Sequence, residues 1–86
     1  MMQPKTTTLY EEVVRICEEY LGPAGERFIR RQIDTHLGIT PEALTKGSLP
    51  KLVNWSSMAF AVLTSDPHDV ESFTQDMLSL SSVTNK

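Results

Sequence analysis

The sequence predicts an all-α domain, a compact four-helix bundle with one short extra helical turn between the second and third helices. Apolar residues recur at steps of three and four along four segments, and helix start and stop signals separate those segments. No stretch alternates apolar and polar residues as a half-buried strand does, and no internal repeat is evident. A chain of 86 residues builds one modest core, because at this size folding buries only about 60–65% of the surface that the unfolded chain exposes. The domain is expected over residues 8–80, between flexible polar tails at 1–7 and 81–86.

Helix one is predicted to begin at Thr8. Thr8-Leu9-Tyr10-Glu11 has the spacing at which a Thr hydroxyl and a Glu carboxylate cap each other's backbone N–H groups. Leu9, Val13, Ile16, Cys17 and Tyr20 form its apolar stripe, and Glu11, Glu12, Arg15, Glu18 and Glu19 take the other faces. Gly22 is able to close the helix in a left-handed conformation and Pro23 to open the next, so Gly22-Pro23 reads as a compact corner with no loop. Helix two places Ala24, Phe28, Ile29, Ile33 and Leu37 on one side and stops at Gly38.

Thr40-Pro41-Glu42 is a further start signal, but the pattern breaks at Thr45-Lys46-Gly47, which predicts a single turn over residues 41–44. Ser48 is expected to cap helix three, with Pro50 in its first turn. Leu49, Leu52, Val53, Ser56, Ala59, Phe60, Val62 and Leu63 make this the most apolar helix and therefore the central one. Asp66-Pro67-His68-Asp69 opens helix four, whose stripe is Val70, Phe73, Met77 and Leu80.

With 40% hydrophobic and 22% charged residues, the composition is that of a folded soluble domain, not of a disordered chain. Eleven Asp plus Glu against eight Lys plus Arg give a net charge of −3, which disfavours nucleic acid as a partner. The one cysteine, Cys17, has no second cysteine with which to form a disulfide or a thiolate metal site. The start, MMQPKTTTLY, lacks the apolar stretch of a signal peptide, and no apolar run reaches the roughly 18–20 residues that span a bilayer. No membrane association and a cytoplasmic location are expected.

No acid/base constellation is visible. Cys17 lies on an apolar stripe where a small thiol packs as a hydrophobe, His36 lies where an imidazolium favours a helix C-terminus, and His68 occupies a first turn. The acids around His68 are explained by capping, and the four glycines are too scattered for a phosphate loop. Neither a catalytic role, a cofactor nor a metal is expected. Arg27, Arg30 and Arg31 share one helical face, and two readings apply: pairing with acidic helix one, or docking an acidic or phosphorylated partner through bidentate guanidinium contacts. Trp55, on the flank of helix three, is either a core-edge residue or an exposed anchor for a partner, with Met58 on the same surface.

Tyr20-Leu21-Gly22-Pro23-Ala24-Gly25, followed by Phe28-Ile29 and Arg31, resembles the aromatic-aliphatic-Gly-Pro stretch of small helical modules appended to bacterial signalling proteins, including serine/threonine kinases and response-regulator-like chains. Ile39 begins a second stretch, ITPEAL and then SLPKLVNW, similar in cadence to the second half of the longer modules; Gly25 departs from the alanine of that pattern. The resemblance implies a non-enzymatic regulatory or interaction module. The expected partner is another protein, or a second copy in a homodimer, met through Arg27, Arg30, Arg31 and Trp55. The alternative is a nucleic-acid-binding helical domain that uses the arginines of helix two.

Overall fold

In the computed structural model, which describes the backbone of residues 8–82 and the side chains of residues 8–80, the first helix opens on the predicted capping box. Thr8 is extended; its hydroxyl accepts from the Glu11 N–H at 3.1 Å, and the Glu11 carboxylate accepts from the Thr8 N–H at 3.3 Å. These two bonds satisfy donors that a helix start otherwise leaves unpaired. Helix α1 runs Leu9–Leu21 and buries Val13 and Cys17 completely.

The Gly-Pro corner is tighter than a pair of caps. Gly22 has φ 68° and ψ −147°, so its φ is positive as expected, but its ψ lies on the extended side, outside the left-handed helical well and in a region that only glycine enters cheaply. Gly22–Ala24 forms a 3-10 turn with Pro23 inside it, and α2, Gly25–Gln32, follows at once. Gly25 has ordinary helical angles. Its importance is contact: a Cβ there would lie 2.6 Å from both the Cys17 carbonyl carbon and the Glu18 nitrogen. The backbone of α2 rests directly on the backbone of α1, and this contact lets the chain reverse with no loop.

α2 continues as a π-helical turn, Ile33–Leu37, and stops at Gly38, which adopts the left-handed helical conformation at φ 66°, ψ 27°. Pro41–Ala43 is a 3-10 turn, and Leu44 leaves it extended and buried. A second 3-10 turn, Lys46–Ser48, feeds α3, Leu49–Leu63. Ser48 is therefore not the expected cap. The Leu49 N–H already bonds to the Lys46 carbonyl, and the Ser48 hydroxyl lies 3.2 Å from that of Thr45. Helix α4, Pro67–Ser82, starts as predicted, with an Asp66 carboxylate oxygen accepting from the His68 N–H at 2.9 Å. It runs two residues past the predicted end at Leu80; the rest of the expected tails, 1–7 and 83–86, lies outside the described residues.

The described chain is all-helical and closes on itself: α1 packs on α2 and α4, and α3 packs on α2, on the π-helical turn and on α4. Ile29, Ile33, Leu49, Leu52, Phe73 and Met77 meet in the core. Tyr20, Phe60 and Phe73 form an aromatic triangle with ring centroids 4.9–5.8 Å apart. The Tyr20 hydroxyl donates to Asp76 at 2.6 Å and ties α1 to α4. Ser57 and Thr74 hydroxyls, 2.6 Å apart, join α3 to α4. Ser56 is fully buried at the core face of α3, and its hydroxyl has no hydrogen-bond partner among the described residues.

Three residues expected in the core lie outside it. Ala24 is exposed in the corner turn. Val62 and Leu63 are 85% and 62% exposed. Leu49, Leu52, Val53, Ser56 and Phe60 already complete the buried stripe of α3, and Val62 lies about 200° round from Phe60 at ~100° per residue, on the opposite side.

Candidate docking surface

Burial of Gly25, Ile29 and Gln32 on the inner side of α2 turns Arg27, Arg30 and Arg31 outward, and all three are exposed. Their predicted pairing with acidic helix one does not occur among the described residues. Glu11 is committed to the capping box and Glu12 pairs with Arg15 at 3.6 Å. On α2 itself, Glu26 accepts from the Tyr10 hydroxyl at 3.1 Å. Burial, reinforced by that carboxylate, raises the Tyr10 pKa, so the tyrosine stays a donor. The arginines keep their guanidinium groups available.

Arg27 and Arg31, one helical turn apart, form a ridge between two depressions. On one side lies an open groove of about 610 Å³ with Arg30, Asp34, Thr35 and Thr40 on its walls. On the other is a slot of about 340 Å³ between α2 and α3, lined by Phe28, Gln32, Ala59 and Leu63. The slot leads onto the outer face of α3. Trp55, Met58 and Val62 recur there at steps of three and four; Met58 is 55% exposed and Trp55 half-buried. The Trp55 indole is stacked on the His36 imidazole with ring centroids 4.1 Å apart and planes 1° from parallel. Trp55 is thus held against the π-helical turn. The far flank of α3 carries Ala61, which shares a shallow depression with Val70 and Glu71 of α4.

The structure brings Arg27 and Arg31 together with an apolar slot and sets Trp55 further along the same α3 face; Arg30 opens into the polar groove instead. Val62 and Leu63, expected from the sequence to be core, belong to this surface instead, and Phe28, which packs against the core as expected, also lines its slot. The signal for Val62 was its spacing from Trp55 and Met58, hidden because the last turn of α3 is apolar on every side.

The remaining chemistry-bearing groups lie elsewhere. Burial pushes the Cys17 thiol up to about 12, with a smaller contribution from Glu18, so the thiol is protonated at neutral pH. His36 has its ring face covered by Trp55. Among the described residues no three His, Cys, Asp or Glu side chains converge in a way that would hold a metal ion, and no helix is long and apolar enough to cross a membrane. No family model, curated protein or solved structure matches this chain.

Proposed function

We propose that this chain is a helical-bundle interaction module, without catalytic activity of its own, that docks a protein partner in a signalling or regulatory assembly of a bacterial cytoplasm. The observation that carries the reading is the continuity of exposed apolar side chains on α3, Met58, Val62 and Leu63, with Arg27 and Arg31, which make no ion pair among the described residues. Arg and Met, with the Trp55 indole on the same face of α3, are residue types enriched in protein interfaces. The resemblance of Tyr20 to Pro23 to the appended signalling modules supports the same reading.

A photo-crosslinking amino acid placed at Met58, with the exposed Glu19 of α1 as control, tests it. The reading expects a discrete protein adduct from Met58 alone. The adduct partner, once purified, should bind the wild-type chain and bind Val62→Asp far more weakly. The nucleic-acid alternative predicts tight binding of a mixed-sequence duplex at low salt that collapses as salt rises; that behaviour, with no adduct from Met58, would overturn the docking reading.

A further inference from the structure

The charge pattern around the α3 face singles out one occupant. At ~100° per residue, Ala61, Met58, Val62, Trp55, Ala59 and Leu63 follow in that order around α3 from the α4 flank to the α2 flank. The α4 flank is acidic, with Glu71 beside Ala61 and Thr64. The α2 flank is basic, with Arg27 and Arg31 beside Ala59 and Leu63. Between them the face is apolar over residues 55–63, and exposed Asn54 and Lys51 bound it towards the helix N-terminus. The flanks have opposite sign and sit at the same height along the helix.

Such a strip is self-complementary under one symmetry and not under the other. A two-fold axis running along α3 exchanges left and right, so each basic flank faces the partner copy's acidic flank at matching height. A two-fold axis across α3 sets basic against basic and also reverses the heights. Resting on the docking reading above, we propose that the α3 face pairs with a second copy of this chain. The two α3 helices run parallel, Met58 and Val62 pack across the axis, and Arg27 and Arg31 of each protomer meet Glu71 of the other. Every contact in an isologous pair occurs twice, so modest single contacts double.

The size of the strip sets the strength. A standard interface takes about 800 Å² from each partner, roughly 15% of the 5339 Å² surface of this chain. Two exposed turns of α3 with their charged flanks provide less, so the pair is expected to be reversible, with a Kd on the order of 1–100 µM.

Sedimentation equilibrium of the full chain, up to about 500 µM so as to bracket that range, tests the proposal. Wild type should form a dimer. Val62→Asp should weaken it at least about 30-fold by burying a charge in the apolar strip. Neither this change nor the surface charge reversals should alter the far-ultraviolet circular dichroism, since Val62 is 85% exposed. Arg31→Glu and Glu71→Arg alone should each weaken the dimer about tenfold, with two reversed pairs per dimer, and more so at low salt. The double variant, which restores opposite charges across the axis, should return to within about threefold of wild type. A monomer at every concentration overturns the homodimer and leaves the face to a different protein, a result distinct from a failure of the crosslinking test. A dimer that ignores Val62→Asp, or that the double charge swap does not rescue, overturns the parallel two-fold pairing.

Discussion

Gly25→Ala is the sharpest test of how this fold is held. Gly25 has ordinary helical dihedrals, so alanine suits the backbone, and by propensity alone the substitution should stabilise α2 by up to ~1 kcal/mol. The tertiary contact opposes this. The new methyl would sit 2.6 Å from the Cys17 carbonyl carbon and the Glu18 nitrogen and 2.8 Å from the Cys17 oxygen. Relaxed carbon contacts lie at about 3.5–4.0 Å, so the start of α2 must move roughly 1 Å away from α1. No flexible side chain is available to give way, because all three atoms belong to the backbone. Overpacking of this kind costs about 1–3 kcal/mol, occasionally more. The net expectation is a loss of about 1–3 kcal/mol, or about 5–20 °C in Tm for a domain of this size. Urea unfolding followed by circular dichroism should show a lower midpoint at an unchanged m-value. Gly47→Ala is the control: the nearest atom to its Cβ is the Thr45 hydroxyl oxygen at 3.7 Å, and its stability should move by no more than about 0.5 kcal/mol. Gly22→Ala separates strain from contact, since its Cβ meets nothing within 4 Å but its φ is 68°; it should lose about 1–3 kcal/mol through backbone strain alone. A Gly25→Ala variant as stable as wild type would refute the claim that backbone contact sets the corner.

Ser56→Ala should be neutral or stabilise by up to about 1–2 kcal/mol, because it removes a buried hydroxyl that has no protein hydrogen-bond partner; a clear loss in thermal unfolding would show that the hydroxyl is bonded. Tyr20 is pushed up to about 12, by burial first and then by its bond to Asp76. The folded pKa exceeds the unfolded value near 10, so the contribution is complete below pH ~10 and is lost as pH rises towards ~12. Urea midpoints should fall across that window, and less so in Tyr20→Phe. The buried Cys17 thiol should resist a charged thiol reagent at pH 8 in the native state and react fully once the chain is unfolded in urea; rapid native reaction would contradict its burial. His36→Ala should cost ~1 kcal/mol and shift Trp55 emission to the red, because the indole loses the ring stacked over it at 4.1 Å; unchanged emission would argue against the stack.

Much of this protein is legible without coordinates. The capping box at Thr8, the stop at Gly38, the Asp66-Pro67 start of α4 and most of the buried stripes follow from local hydrogen-bond chemistry and helical periodicity, which act over a few residues and are written in order along the chain. The position of the arginines on one face of helix two was equally readable. What the arginines and the tryptophan do there was not. Whether Arg27 and Arg31 meet α1 carboxylates or solvent depends on which side of α2 lies against α1. That is decided by a backbone contact between Gly25 and Cys17-Glu18, eight and seven residues apart in sequence and in different helices. The stack of Trp55 on His36 likewise depends on where the π-helical turn meets α3. The last turn of α3 shows the same division: periodicity identifies a helix there, but a turn that is apolar on all sides offers no preferred face. The sequence alone determined the helices, their caps and the residues able to enter a core. Only tertiary packing decided which apolar residues were left outside to form a surface, because the core accepts one face of α3 and geometry, not hydrophobicity, selects it.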